Sequence, residues 1–197
     1  TAVNYVIGIG YAALNDASTL STAANESIAI GFGAGTNASN LAAEFVLIGS
    51  LAGRKYNGTG STIIGYNAGQ YASGSYNTFV GRNAGLGGTT SAPFSTGTAN
   101  VAVGYGAHDA FTSAEHNVAV GSNAMGNATT GYYNVAVGSH AGLGITTGVE
   151  NVAVGRATLY ENSTGIRNTA VGYSAATYGT AGSDITSIGA DAGTFAT

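Results

Sequence analysis

Three histidines, His108, His116 and His140, are the only imidazoles in a chain of 197 residues. Metal binding or proton transfer requires such groups to converge, and these make no HxH or HExxH spacing. Only an assembly with one histidine near a threefold axis would bring copies of it together. Asp184 and Asp191 stand too far apart for a calcium loop, and the nonapeptide Gly-Gly-x-Gly-x-Asp pattern is absent. The string GIGYAA around Gly8 and Gly10 has glycines like those of a phosphate loop but lacks the lysine and the helix that must follow. No Cys is present, which removes thiolate ligands, thiol nucleophiles and disulfides. No Ser/His/Asp set or carboxylate pair stands out. The sequence therefore predicts a protein that is not an enzyme and carries no cofactor or metal.

The aromatic rings are the remaining groups able to recognise something. There are 12 Tyr, 6 Phe and no Trp. Tyr66, Tyr105, Tyr132, Tyr133, Tyr173 and Phe94 are the candidates for surface binding, as stacking platforms for sugar rings or as amphipathic anchors on a partner. The competing reading is that these rings pack over the chain's own strands. Phe94 ends an insertion of small residues (Gly87, Gly88, Thr89, Thr90, Ser91, Pro93). Such an insertion predicts a surface loop, either on a binding face or simply tolerated.

These groups are set on a repeat. Eleven anchor glycines, each preceded by Val or Ile, stand at Gly10, Gly31, Gly49, Gly65, Gly81, Gly104, Gly121, Gly138, Gly155, Gly172 and Gly189. The spacing is 21, 18, 16, 16 and 23 residues, then 17 without exception. A short fixed period means one small unit stacked on itself. The residues one and three before each anchor are β-branched throughout, as in Val135 and Val137 before Gly138. Alternating stiff side chains suit a pleated strand, and the glycine density argues against helix. The prediction is an all-β, parallel β-solenoid of about eleven coils, a single repeat domain over 1–197. At about 4.8 Å per strand it forms a rod on the order of 50 Å long.

Between the two β-branched columns lies a third: Leu47, Ile63, Phe79, Ala102, Ala119, Ala136, Ala153 and Ala170 in the central coils. A strand with one wet face would carry polar residues there. An apolar column instead implies a strand covered on both faces. One face lines the coil, and the other needs a second surface, most simply another copy of the chain. These eight residues are the predicted oligomer seam. Asn four before the anchor (Asn77, Asn100, Asn117, Asn134, Asn151, Asn168) suits a corner or a side-chain ladder between coils. Gly seven before it (Gly58, Gly74, Gly97, Gly131, Gly148, Gly165, Gly182) is expected where the backbone needs a positive φ. Ala three after it fits a narrow interior, and Thr158 is the exception.

Composition narrows the function. Only 7% of residues are charged and 5 are Lys or Arg, with a net charge of -4, which argues against nucleic acid as a partner. No apolar run is long enough for a membrane helix. The strings TANVAVG (98–104), GYYNVAVG (131–138), GVENVAVG (148–155) and GIRNTAVG (165–172) resemble the head repeats of trimeric autotransporter adhesins of the YadA type, and also repeats of bacteriophage tail fibres. The resemblance implies a left-handed β-roll, three chains side by side, an extracellular or virion-surface location, and attachment to a host glycan or surface protein.

The motif begins soon after Thr1 and still runs at Gly189, which points to a segment of a longer fibre. The alternative is a subunit of an extracellular filament that stacks head to tail. A third reading, ice binding, rests on two threonine-rich columns: Ser95, Thr129, Thr146, Ser163 and Thr180 beside Thr96, Thr130, Thr147 and Thr164.

Overall fold

A computed structural model describes residues 5–15, 26–36, 44–88, 94–177 and 181–194. Its strands are β1 Val6–Ile9, β2 Ser27–Ile30, β3 Val46–Ile48, β4 Thr62–Ile64, β5 Thr78–Val80, β6 Val101–Val103, β7 Val118–Val120, β8 Val135–Val137, β9 Val152–Val154, β10 Thr169–Val171 and β11 Thr186–Ile188. They form one sheet in sequence order, and every pairing between them is parallel. The fold is a β-solenoid of about nine turns. Eleven anchors predicted about eleven coils; eleven strands have only ten connections between them, and four of those include residues outside the described set. The rest of each coil is turns and extended chain, with isolated parallel bridges at Ala72–Ser95, Glu115–Tyr132 and Val149–Ile166.

Register is in phase at every level. Val118 pairs with Val135, Ala119 with Ala136 and Val120 with Val137, so each residue sits on its counterpart in the next coil. The asparagine column enforces this. Asn77, Asn100, Asn117, Asn134, Asn151 and Asn168 are all buried. From Asn100 to Asn168, each backbone N–H donates to the preceding side-chain Oδ1 at 2.9–3.0 Å. Each side-chain Nδ2 also donates to a carbonyl of the following coil, at 2.6–3.0 Å. The ladder is capped by Ser61 Oγ, which accepts from Asn77 N at 2.9 Å, and by Ile185 N, which donates to Asn168 Oδ1 at 2.9 Å.

Two glycine columns explain how coils come so close. The anchors have φ between +122° and +137°, which disfavours any side chain, and a Cβ on Gly138 would lie 2.6 Å from the carbonyl oxygen of Gly155. The glycines seven before the anchor correct an expectation: Gly58, Gly74, Gly97, Gly131, Gly148, Gly165 and Gly182 do not have positive φ. They are glycine for space, because a Cβ on Gly131 would collide with the carbonyl oxygen of Gly148, and one on Gly165 with that of Gly182. The positive φ falls instead five before the anchor, at Tyr76, Ala99, His116, Tyr133, Glu150, Arg167 and Asp184, whatever the residue type.

The predicted seam column points the other way. Leu47, Ile63, Phe79, Ala102, Ala119, Ala136, Ala153 and Ala170 are fully buried within one chain, so these side chains form the coil interior. The physical reason is shared volume. Leu47, Ile63 and Phe79 lie against Gly53, Gly69 and Gly85, whose added Cβ would meet them at 2.7, 2.8 and 2.5 Å. Where the strand carries Ala (Ala102, Ala119, Ala153), bulk sits four after the anchor instead, at His108, Met125 and Leu159, all fully buried. Small residues in the column thus record an intrachain partner. By strand alternation, the β-branched columns on either side face outward, and they are half-buried or exposed along all eleven strands.

His108 is the strained member of this core. It stacks on Phe111 with centroids 5.3 Å apart, and neither ring nitrogen has a hydrogen-bond partner. Burial lowers its pKa from 6.5 to about 4; the Met125 backbone pulls the other way without completing a hydrogen bond. The unfolded chain therefore takes up a proton near pH 6.5 that the folded chain refuses until about pH 4. Stability falls as pH drops through that window, by roughly 3 kcal/mol in all. Replacement His108→Met, which copies Met125 one coil on, is expected to flatten the decline. Urea titrations at pH 7 and pH 4.5 check this, the wild type losing stability between them and the variant losing little.

Candidate functional site

The outward face of the sheet is a strip two side chains wide. One column runs Ile7, Ile28, Val46, Thr62, Thr78, Val101, Val118, Val135, Val152, Thr169, Thr186; the other runs Ile9, Ile30, Ile48, Ile64, Val80, Val103, Val120, Val137, Val154, Val171, Ile188. No charged residue interrupts either. Uncharged surface of this length, apolar except at Thr62, Thr78, Thr169 and Thr186, marks an interaction site.

Aromatic side chains border the strip on both sides. Immediately after the anchors stand Tyr11, Phe32, Tyr66, Tyr105 and Tyr173, all exposed. Tyr11 and Phe32 stack at 5.6 Å. Arg82 occupies the same column between Tyr66 and Tyr105, with its guanidinium carbon 5.6 and 5.9 Å from the two ring centroids. Arg156 lies 5.4 Å from the Tyr173 ring and donates from Nη1 to its hydroxyl at 3.1 Å. On the other border, before the strands, Tyr133 stacks on His116 at 5.1 Å and meets Tyr132 edge-on at 5.5 Å. Arg167 and Asp184 continue this border as an exposed ion pair, Nε to Oδ1 2.7 Å. The pairing holds the Asp184 carboxyl below its ordinary range.

The six predicted binding aromatics thus divide into three places. Tyr66, Tyr105 and Tyr173 form one border, and Tyr132 and Tyr133 belong to the other. Phe94 is half-buried, stacked on Tyr71 at 6.4 Å with Lys55 Nζ 5.7 Å above its ring. Of the rest of its insertion, Gly87 and Gly88 are described, whereas Thr89, Thr90, Ser91 and Pro93 lie outside the described residues. The packing reading holds for Tyr56 and Phe111, which are fully buried. Burial raises the Tyr56 phenol well above its ordinary value.

Sequence reasoning passed over the two arginines. The available signal was positional, since Arg82 and Arg156 occupy the column that elsewhere holds Tyr11, Phe32, Tyr66, Tyr105 and Tyr173.

The threonine columns are partly consumed by the fold. Thr129 Oγ1 donates to the Thr146 carbonyl at 3.2 Å and Thr146 Oγ1 to that of Ser163 at 3.0 Å. Thr130 and Thr147 beside them are exposed, and Thr180 lies outside the described residues. Among the described residues no group of three His, Asp or Glu side chains could hold a metal ion, and no helix is long and apolar enough to cross a membrane.

No family model, curated protein or solved structure matches the chain. The class is therefore set by geometry, that of a parallel β-solenoid with one bordered apolar face.

Border and core aromatics are expected to separate cleanly in stability. Phe111→Ala should cost about 3–5 kcal/mol in chemical denaturation, through the cavity it leaves. Tyr132→Ala with Tyr133→Ala should cost about 1 kcal/mol or less, because both rings stay largely in water.

Proposed function

We propose that this chain is a structural and adhesive fibre domain, a rod of three copies packed side by side that attaches a phage tail or bacterial surface to a host. The observation that carries the reading is the unbroken β-branched strip. Two residues from each of eleven strands supply twenty-two seam positions. Stable interfaces use about 20–30 residues a side. A chain with 7% charged residues has little else with which to solvate that face. The seam therefore belongs to the flanking columns, and the argument for a covered second face survives the change of residues.

Three-chain packing, left-handed winding and a place outside the cell or on a virion follow from the resemblance to adhesin-head and tail-fibre repeats. The aromatic borders then fall at the rims of each seam. There they anchor the neighbouring chain or present rings to a host glycan or surface protein.

Sedimentation equilibrium tests this reading. The wild type should have three times the chain mass of 19.2 kDa. Val120→Lys with Val137→Lys, which places charge at the middle of the strip, should sediment at the chain mass while keeping its β-sheet circular dichroism. A monomeric wild type contradicts the proposal, and indefinite polymers would favour the head-to-tail filament.

A further inference from the structure

The repeat breaks its own rule at one anchor. Gly155 is followed three residues later by Thr158 where the other ten anchors have Ala. Thr158 is fully buried, and its Oγ1 donates to the Gly155 carbonyl at 3.0 Å. Two residues further on the same turn come Tyr160 and Glu161, at positions held by Leu143 and Gly144 one coil earlier and by Gly126 and Asn127 before that. Departures from a strict repeat that gather at one place mark function more often than fold.

Tyr160 and Glu161, though not the buried Thr158, line a cleft. It has a volume of about 360 Å³ and is walled by the turns of three successive coils, chiefly His140, Arg156, Tyr160, Glu161, Tyr173 and Ser174. The walls are preset. Arg156 is held at Tyr173 by the hydrogen bond and ring contact already described. The His140 ring is pinned from both sides, with Ser139 Oγ 2.8 Å from Nδ1 and the Asn123 amide nitrogen 3.4 Å from Nε2. The Tyr160 ring leans over this imidazole, centroids 6.4 Å apart and planes at 43°.

We propose that this cleft binds a neutral carbohydrate. The inference rests on the attachment reading above and names the ligand class and place. Two tyrosine rings offer flat apolar faces for the C–H side of a pyranose. Glu161 supplies an acceptor-only carboxylate and Arg156 a donor-only fork, the complementary pair that adjacent sugar hydroxyls require. Glu161 and Arg156 balance in charge, so the cleft offers no net attraction to a carboxylated or sulfated sugar and suits neutral rings. The volume lies at the small end of the usual ~300–1,000 Å³ for ligand clefts, enough for one or two sugar units. The lining residues follow their anchors along the turn, so they are not on the strand face assigned to the seam.

An array of neutral oligosaccharides ending in glucose, galactose, mannose or N-acetylhexosamine, with sialylated counterparts, tests the site. Titration calorimetry of the strongest binder follows. Neutral glycans should bind, and Tyr160→Ala and Glu161→Gln should each weaken binding about tenfold or more. Ser113→Ala, an exposed turn position on a distant coil, should leave binding unchanged, and circular dichroism should be the same for all three. Binding of none of the neutral glycans, preference for the sialylated ones, or indifference to both cleft substitutions overturns the proposal. Mass measured on the same samples separates the two readings. A trimer that ignores neutral glycans removes the site and leaves the fibre, whereas a monomer that binds through Tyr160 and Glu161 removes the fibre and leaves the site.

Discussion

A buried amide side chain must have its hydrogen bonds satisfied, and along the asparagine column they are satisfied by repetition. Each asparagine from Asn100 to Asn168 receives nothing from its own strand; its N–H groups are answered by the asparagine before it and by a carbonyl of the coil after it. One rung out of phase would leave donors and acceptors unpaired in an apolar interior, at about 1–3 kcal/mol for each. The ladder thus specifies parallel strands and zero offset while tolerating unequal coils, since the Asn77–Asn100 rung spans 23 residues and the later ones 17. The glycines seven before the anchor belong to the same device. Asn134 and Asn151 reach the carbonyls of Gly148 and Gly165, which the preceding glycines approach so closely that no side chain fits between.

Once coils are locked in phase, every position becomes a column and every column must be uniform in kind. Inside, the cross-section is too narrow for two large residues, so bulk alternates between the strand and the turn four residues past the anchor. Outside, the same uniformity turns two β-branched positions per strand into an unbroken, uncharged strip. It also places aromatic and arginine side chains in stacked rows at its rims. A fold built to repeat thereby produces a long face of one character, which suits side-by-side association better than a localised pocket chemistry. Localised chemistry needs the repeat to be broken, and Thr158, Tyr160 and Glu161 are where it breaks.

Much of this was legible in the sequence because the period is exposed by the anchors themselves. The parallel strands, the asparagine column and the methyl-sized interior at Ala107, Ala124 and Ala141 follow from spacing and residue type. The orientation of the strand did not. Two apolar faces leave period-two alternation without a polar side to mark the outside, so Ala119 and Ala136 could be read as seam when they are core. The decisive clue was non-local: a large residue in this column meets a glycine six residues later, as Leu47 meets Gly53 and Phe79 meets Gly85. The glycines at Gly131 and Gly148 were misread for a related reason. Glycine is demanded by a positive φ or by a close approach, and sequence alone does not distinguish the two. Of the candidate site, the exposed rings could be named, but Arg82 and Arg156 gained meaning only when their column became a row in space.

Native-state hydrogen exchange at the backbone N–H groups of Asn100, Asn117, Asn134, Asn151 and Asn168 tests the central role of the ladder most directly. These amides bond to side chains rather than to a strand, yet they should open only with global unfolding and rank with the most protected sites in the protein. Exchange as fast as that of exposed turn amides such as Asn127 would show that the rungs open singly, and would contradict the account.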